Sequence, residues 1–409
     1  MLLSAALFAG PASAQFTVDL SGVEPTPVLS PPGILGASNC ENSVLRVSLT
    51  GGLPGNDYEV WDAFRGPYGW QANSRLGRFP VAPNGEGVTQ ADVLDPSPVS
   101  TVIIARQVSP MLSSANSPPF RLRDPVQLAA PEISPTPVWE CGLATAVRGQ
   151  QPGDEVTLFT APSTPRFTVA SAFSPHDFVP AGPLGEFAAG ETLSARYQTC
   201  KSAQGAAREE SPMSTPVVVA RRAGNPPLSM PGLVPGSLLP GAARFQLEGV
   251  EHGATITLSL TRGGSSTSWT EVCPWDPCPV STPPGFGPIE EGDLLEVSQR
   301  LCPGTDSPPS LIEVKSCGDV PPPTLATPPR AGDTSIHLSA FAPDARITVF
   351  VSSDPVDPKN GLTPIGHAAA SATIHLFRPL AVGDRWLVVA QVSPACGLTH
   401  GNGYGVFQE

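Results

Sequence analysis

A ten-residue pattern that the chain writes four times constrains its fold more than any other feature. The copies are Gly51 to Val60, Gly149 to Leu158, Gly249 to Leu258 and Ala340 to Val349. Each opens on a small residue, places Pro or His three positions later, and follows it with Gly or Asp (Pro54-Gly55, Pro152-Gly153, His252-Gly253, Pro343-Asp344). Two apolar residues separated by one polar residue then close the pattern, as in Val156-Thr157-Leu158. Pro fixes φ for a turn, and a Gly after it takes positive φ without steric cost. Apolar residues at a period of two belong to a strand with one buried face. Each copy therefore predicts a strand end, a tight turn and a new strand. The copies start 98, 100 and 91 residues apart, the length of a small β-sandwich.

Two further landmarks keep step with the turn. Pro32-Gly33-Ile34, Pro131-Glu132-Ile133, Pro231-Gly232-Leu233 and Pro323-Thr324-Leu325 stand 17 to 19 residues ahead of it. Pro at the first position of an edge strand forfeits no ladder bond, so these predict first strands. Gly190-Glu191, Gly292-Asp293 and Gly383-Asp384 lead into another strand 41 to 43 residues after the turn opens. In the first copy Val99 to Gln107 takes that place, 48 residues on, without the Gly. The expectation is an all-β chain of four units, at about 28–125, 126–222, 223–317 and 318–409, preceded by a lead-in over 15–27 without a core of its own. Pro-rich joints such as 223–227 and 320–323 favour stiff, extended conformations, which predicts a rod or gently bent string. No amphipathic helical stretch interrupts the scheme.

The combined pattern G-x-x-P-G-x-x-V-x-V … P-L-x-x-G-[DE]-x-L-x-A-x-Q resembles the bacterial immunoglobulin-like domains of secreted and surface proteins, adhesins among them. Its second half stands here as Pro379-Leu380 … Gly383-Asp384 … Ala390-Gln391 and, less completely, as Gly190-Glu191 … Leu193 … Ala195 … Gln198. The resemblance covers nearly all of the chain after the lead-in. It implies a tandem array of four immunoglobulin-like β-sandwich domains used as spacers, adhesive modules or accessory domains. The third copy departs from it with His252 for Pro, and the fourth with Ala340 and Asp344 for the two Gly positions.

Residues 1–14 have an apolar core and end in Ala12-Ser13-Ala14 before Gln15, the form of a secretory signal peptide with an A-x-A cleavage site. The mature protein is expected to be secreted, at the cell surface or periplasmic. A net charge of −13, with Lys only at 201, 315 and 359, argues against nucleic acid and anionic membrane surfaces as partners. No stretch of about 20 apolar residues predicts membrane insertion. In an oxidising compartment the eight Cys predict disulfides. Cys141 and Cys200 stand at the two ends of the second unit, Cys273 and Cys278 suit a short staple within an insertion, and Cys317 with Cys396 can close the fourth unit. Cys40 and Cys302 are left without assigned partners, and the connectivity stays open.

The sequence holds no nucleophile elbow, zinc-protease helix, phosphate-binding loop or EF-hand loop. No catalytic residue, metal ligand set or cofactor is expected, and the chain is not expected to be an enzyme. His337 and His375 each alternate with apolar neighbours and so face outward; Asp344, Asp354 and Asp357 lack the spacing of a known calcium loop. The better lead is aromatic. Tyr58, Trp61, Phe64, Tyr68 and Trp70 crowd into thirteen residues of a chain that is 6% aromatic. Tyr58 falls on the apolar phase and should be core, whereas Trp61 should face outward and 65–70 should form a loop. Trp61, Tyr68 and Trp70 are thus candidate ligand-binding residues, able to stack on sugars or anchor a partner, or else to cap the sandwich. The expected function is a non-enzymatic structural or adhesive scaffold or stalk. The alternative is a carbohydrate- or protein-binding module, with extracellular polysaccharide or another surface protein as partner.

Overall fold

A computed structural model describes residues 15–20, 28–40, 44–67, 69–81, 88–94, 102–122, 128–150, 154–160, 164–170, 176–199, 210–224, 226–283, 286–317, 319, 321–342, 345–359, 361–369, 372–392, 396 and 400–407. The expected signal segment 1–14, Tyr68, Cys200, Pro152, Gly153, Pro343 and Asp344 lie outside the described residues.

Among the described residues one short strand, β1 (Phe16–Asp19), precedes four sets of seven. The first set is β2 (Gly33–Cys40), β3 (Val44–Thr50), β4 (Asp57–Gly66), β5 (Gly69–Pro80), β6 (Val88–Leu94), β7 (Val102–Val108) and β8 (Phe120–Arg121). The second is β9 (Glu132–Ile133), β10 (Ala144–Arg148), β11 (Glu155–Thr160), β12 (Thr164–Ala170), β13 (His176–Pro180), β14 (Thr192–Gln198) and β15 (Val217–Val218). The third is β16 (Gly232–Leu233), β17 (Arg244–Glu248), β18 (Ala254–Arg262), β19 (Ser265–Cys273), β20 (Cys278–Ser281), β21 (Leu294–Arg300) and β22 (Ser310–Glu313). The fourth is β23 (Thr324–Leu325), β24 (Ser335–Ala340), β25 (Arg346–Ser352), β26 (Thr363–Ala369), β27 (Thr373–His375), β28 (Trp386–Val392) and β29 (His400–Gly405).

The strand order repeats without exception. In every set the first, second and fifth strands make one sheet, and the fourth, third, sixth and seventh make the other. This is an immunoglobulin-like sandwich whose fourth strand has changed sides, since the constant-type arrangement keeps it with the first, second and fifth. A hairpin explains the change: β18 and β19 are joined by Gly263-Gly264, both at positive φ (56° and 84°), a two-residue turn that returns the chain alongside its predecessor.

Each sandwich has its own core, built from alternate residues of facing strands. In the third, Ile256, Leu258 and Leu260 of β18 pack with Phe245, Leu247, Leu295 and Val297, all essentially buried. Burying each such side chain contributes roughly 1.5–3 kcal/mol. The intervening residues Thr257 and Glu296 face solvent.

The repeated turn sits where the sequence predicts, between second and third strands. Gly51, Gly149 and Gly249 end the second strand at φ 82°, 98° and 72°, while Gly55 and Gly253 turn the corner at 91° and 78°. Ala340 needs no such angle because it is the last residue of β24. The Gly-acid landmark also has a structural cause. Glu191, Asp293 and Asp384 each accept the backbone N–H three residues earlier, from Ala188, Glu290 and Ala381. Each also binds a guanidinium, from Arg166, Arg262 and Arg378 respectively.

The lead-in, expected to have no core of its own, joins another unit: β1 pairs antiparallel with β29 as the fifth strand of the fourth sandwich's larger sheet. One expectation is corrected. The array, expected as a rod or gently bent string, does not have free ends. Ser30 and His367 exchange two hydrogen bonds between the first and fourth sandwiches, Ser30 N–H to His367 O at 3.3 Å and His367 N–H to Ser30 Oγ at 2.9 Å. Stiff joints fix local direction, but pairing of strands distant in sequence sets where the chain ends meet.

Candidate functional site

The inward phase of the sixth strand carries a buried Gln where an apolar residue would be expected. Gln107, Gln299 and Gln391 are at most 8% exposed. Each accepts, on Oε1, the N–H of the third residue of the repeated turn: Leu53 at 3.1 Å, Glu251 at 2.8 Å and Ala342 at 2.9 Å. Each donates, from Nε2, to the carbonyl three residues ahead of the first strand, on Ser30, Ser229 or Pro321, at 2.8 to 3.0 Å. One amide thus ties turn, sixth strand and entering chain together. In the second sandwich Tyr197 holds the inward place, opposite Val156, and Gln198 faces outward to Glu210. The Gln198 of the sequence pattern is therefore one residue out of phase with its counterparts.

The same turn is a socket between neighbouring units. Leu143 N–H donates to Gly253 O at 3.0 Å, and Trp139 Nε1–H donates to Glu251, so the second sandwich sits on the turn of the third. A Cβ on Gly253 would lie 2.8 Å from Ala144 O and 3.2 Å from Gly142 Cα, so that close approach requires glycine. Leu228, Ala254 and Leu301 with Trp139 fill the apolar part of the joint. The third sandwich meets the fourth in the corresponding way: Leu239 and Ala242 pack on Ala342 and Ala345, and Gln391 Nε2 also donates to Gly236 O at 3.2 Å.

The disulfides add to these joints. Cys141 bonds to Cys302, with Cα atoms 5.2 Å apart, and so links the second and third sandwiches across 161 residues. Cys200, at the other end of the second unit's frame, lies outside the described residues; the candidate pairing of Cys141 with it gives way to a bond with a Cys of the neighbouring unit, because the joint brings those two together. Cys273 and Cys278 are bonded, Cα atoms 5.6 Å apart. They lie in no insertion: Cys273 ends β19 and Cys278 opens β20, so they pin the crossing from one sheet to the other. Cys317 and Cys396 are bonded, Cα atoms 5.5 Å apart, holding the segment between the third and fourth sandwiches to the fourth. Cys40 is the last residue of β2.

The aromatic lead resolves into a long hairpin. Residues 65–70 are not an extended loop, because β4 runs to Gly66 and β5 starts at Gly69, with Arg65 opposite Trp70 and Phe64 opposite Gln71. Tyr58 is core, its hydroxyl accepting the Gly52 N–H at 2.7 Å. Trp61 faces outward and half-buried, packed with Ala63, Ala72, Val102 and Ile104 under the Arg106 guanidinium, 4.7 Å from the ring centroid. Glu59 on the same face accepts Arg75 at 3.0 Å and Arg106 at 2.8 Å. Its burial alone would raise the carboxyl pKa; the two arginines outweigh that and hold it below the ordinary range. Trp70 is 38% and Phe64 47% exposed near the tip. Directly opposed residues share a face, so Trp70 and Arg65 lie on the outward side with Ala63 and Ala72. The face is amphipathic, with two indoles and a fixed charge cluster.

The histidines of the fourth sandwich come together only in part. β24 and β27 pair, with Ser335 opposite His375 and His337 opposite Thr373, so both rings share one face. Among the described residues no third metal-ligating side chain joins them. Asp354 Oδ1 accepts the N–H of Val356 and Asp357, and Asp357 Oδ1 that of Lys359; these carboxylates shape a local turn. Among the described residues no helix is long and apolar enough to cross a membrane.

No protein-family model and no curated protein matches the chain. Among solved structures, it is similar to the BSP domain of a biofilm-associated protein at 19% identity and a TM-score of 0.23, over 47% of this chain and 30% of that one. It thus spans about a third of that structure's length. It is similar to the human OSCAR ligand-binding domain at 14% identity and a TM-score of 0.23, over 47% of this chain and all of that one. The FN1–FN3 domains of chicken CNTN1 match at 12% identity and a TM-score of 0.19, over 71% of this chain and all of that one. Superpositions this loose carry no argument about activity, and the sandwich fold rests on the strand order.

Proposed function

We propose that this chain is a non-enzymatic extracellular scaffold, of the structural or adhesive kind, whose units divide near residues 125, 222 and 317. The observation that carries the reading is how the units are joined. The repeated turn of one sandwich receives the preceding sandwich through hydrogen bonds, an apolar contact and, at one joint, the Cys141–Cys302 disulfide. Side chains that could have built a reactive centre are spent on holding turns: the buried Gln amides, and the acids paired with Arg166, Arg262 and Arg378. Such joints hold presented surfaces at set distances. Secretion by the 1–14 segment, and an oxidising environment for the disulfides, belong to this proposal. Small-angle scattering of the full chain tests it. A scaffold gives a profile that one conformation fits; a profile that needs a broad ensemble refutes it.

A second reading is favoured by the outward face of the first sandwich. Trp61 and Trp70, with Arg65, Arg106 and Glu59, form a ridge suited to an extracellular polysaccharide or another surface protein. Polysaccharide pull-down with wild type and Trp70→Ala separates the two. Retention by wild type that Trp70→Ala abolishes assigns a binding role, and equal retention by both, or by neither, removes it.

A further inference from the structure

The fourth sandwich differs from the third on its outward side. Where β18 and β21 present Ser259, Glu296 and Ser298 to solvent, the corresponding places on β25 and β28 hold Phe350, Val388 and Ala390. These three residues are at most 1% exposed, although they point away from the core formed by Ile347, Val349, Val351, Leu387 and Val389. Strands buried on both faces need a cover, and the cover is the segment around β1. Val18 and Leu20 are 2% and 0% exposed in one cluster with Phe350, Val388 and Ala390, and Phe16 packs against it. The Phe16 ring stands edge-on to Trp386, with centroids 5.2 Å apart.

The acceptor strand is shaped for this guest. Gly403 lies opposite Phe16 and Gly401 opposite Val18. A Cβ on Gly403 would meet Phe16 ring carbons at 2.5 Å and Val18 Cγ2 at 3.0 Å, and nothing else of the sheet more closely. The edge of β29 that β1 occupies thus combines a backbone ladder and a side-chain pocket for an apolar-alternating strand, the elements of β-strand addition.

The described part of the guest packs on the fourth sandwich, and the first sandwich meets the fourth through a few described contacts. The described contacts include the two Ser30–His367 hydrogen bonds and the close approaches of Gly33 to His375, of Gly51 to Ala368 and of Gly366 to Ser30 Oγ. No described apolar cluster joins the two sandwiches, in contrast to the joints between second and third and between third and fourth. Almost all that holds β1 in place is therefore indifferent to which copy supplies it.

We propose that β1 is a donor strand that a second copy of this chain can supply, so that the protein assembles head to tail by exchange of Phe16–Asp19 into the β29 edge of its neighbour. Exchange replaces each contact of β1 by an identical one and gives up the first-to-fourth contact within one chain, the condition under which swapping costs little. Donor and acceptor are different surfaces, so the contact is heterologous and propagates unless a ring closes.

Complementing variants test this. Val18→Asp removes a functional donor and leaves the acceptor; Gly403→Val fills the acceptor and leaves the donor. Light scattering after size exclusion is expected to show a concentration-dependent ladder for wild type, one-chain mass for each variant alone, and a 1:1 two-chain complex when the variants are mixed. A one-chain mass for wild type and for the mixture overturns the proposal. So does self-association of Val18→Asp that equals wild type, which would place the contact elsewhere. A measurement without substitutions guards against misfolded variants: wild type prepared with light and heavy nitrogen is mixed at high concentration and weighed by native mass spectrometry. Mixed-mass oligomers support exchange, and their absence overturns it.

Discussion

Gln107→Leu isolates the clamp that ties the repeated turn to its sandwich. The side chain is fully buried, accepts from Leu53 N–H and Asn56 Nδ2 at 3.1 and 3.2 Å, and donates to Ser30 O at 2.8 Å. Leucine fills a similar volume, so little cavity term enters. It cannot satisfy the Leu53 N–H or the Ser30 carbonyl, both in buried surroundings, and each orphaned group costs about 1–3 kcal/mol. The opening free energy of the first sandwich should fall by about 3 kcal/mol, at which amide exchange from the opened state speeds up roughly a hundredfold. Hydrogen-exchange mass spectrometry on the full chain reads this in peptides covering β3 and β7, while the third sandwich serves as internal reference. Gln198→Leu is the control: that amide faces outward to Glu210 and should change exchange in the second sandwich by little. Exchange in Gln107→Leu within threefold of wild type, or an equal effect of Gln198→Leu, would show that the clamp does not hold the turn.

Other perturbations read the joints. Gly253→Ala puts a side chain at φ 78°, a conformation that costs an L-residue about 1–2 kcal/mol, and 2.8 Å from Ala144 O; scattering should show the second and third sandwiches loosened while each still melts cooperatively. Cys302→Ser opens a 161-residue loop worth roughly 5 kcal/mol in the chain-entropy model, and the melting temperature of the joined pair should drop under non-reducing conditions only. His367 is pushed down to about 4 by burial first and by the Arg346 charge second. Its folded pKa lies below its unfolded value, so the stability it supports is whole above about pH 6.5 and is lost as pH falls toward 4, by up to about 3 kcal/mol; His367→Gln should flatten that part of the denaturation profile. Asp293 is raised by burial but held low overall by Arg262 and by the Glu290 N–H, so its contribution is present at neutral pH and lost only in acid below the ordinary carboxylate range; Asp293→Asn should destabilise the third sandwich at pH 7 and lose its effect there.

The four-fold turn, the first strands and the Gly-acid strand entries were legible because each depends on local stereochemistry. Positive φ at Gly55 and Gly253, and period-two burial in β18, follow from residues a few positions apart. The buried Gln left a weaker signal, a polar residue in the apolar phase of Ile103-Ala105-Gln107, and only the fold shows what it bonds. The aromatic segment was misread as a loop at 65–70 because Gly and Pro there suggest a turn, while the ladder between β4 and β5 extends almost to the tip.

By itself the sequence determined the repeat, the sandwich and the places where each sandwich turns, since backbone angles and alternation act within a strand and its next neighbour. Tertiary structure alone decided that Cys141 meets Cys302, that Gly253 is the floor of a joint, and that Phe16 and Val18 complete a sheet whose other strands lie more than three hundred residues away. Those facts depend on which surfaces come into contact. Contact is set by shape and by apolar area left uncovered, as at Phe350, Val388 and Ala390, and neither has a period along the chain.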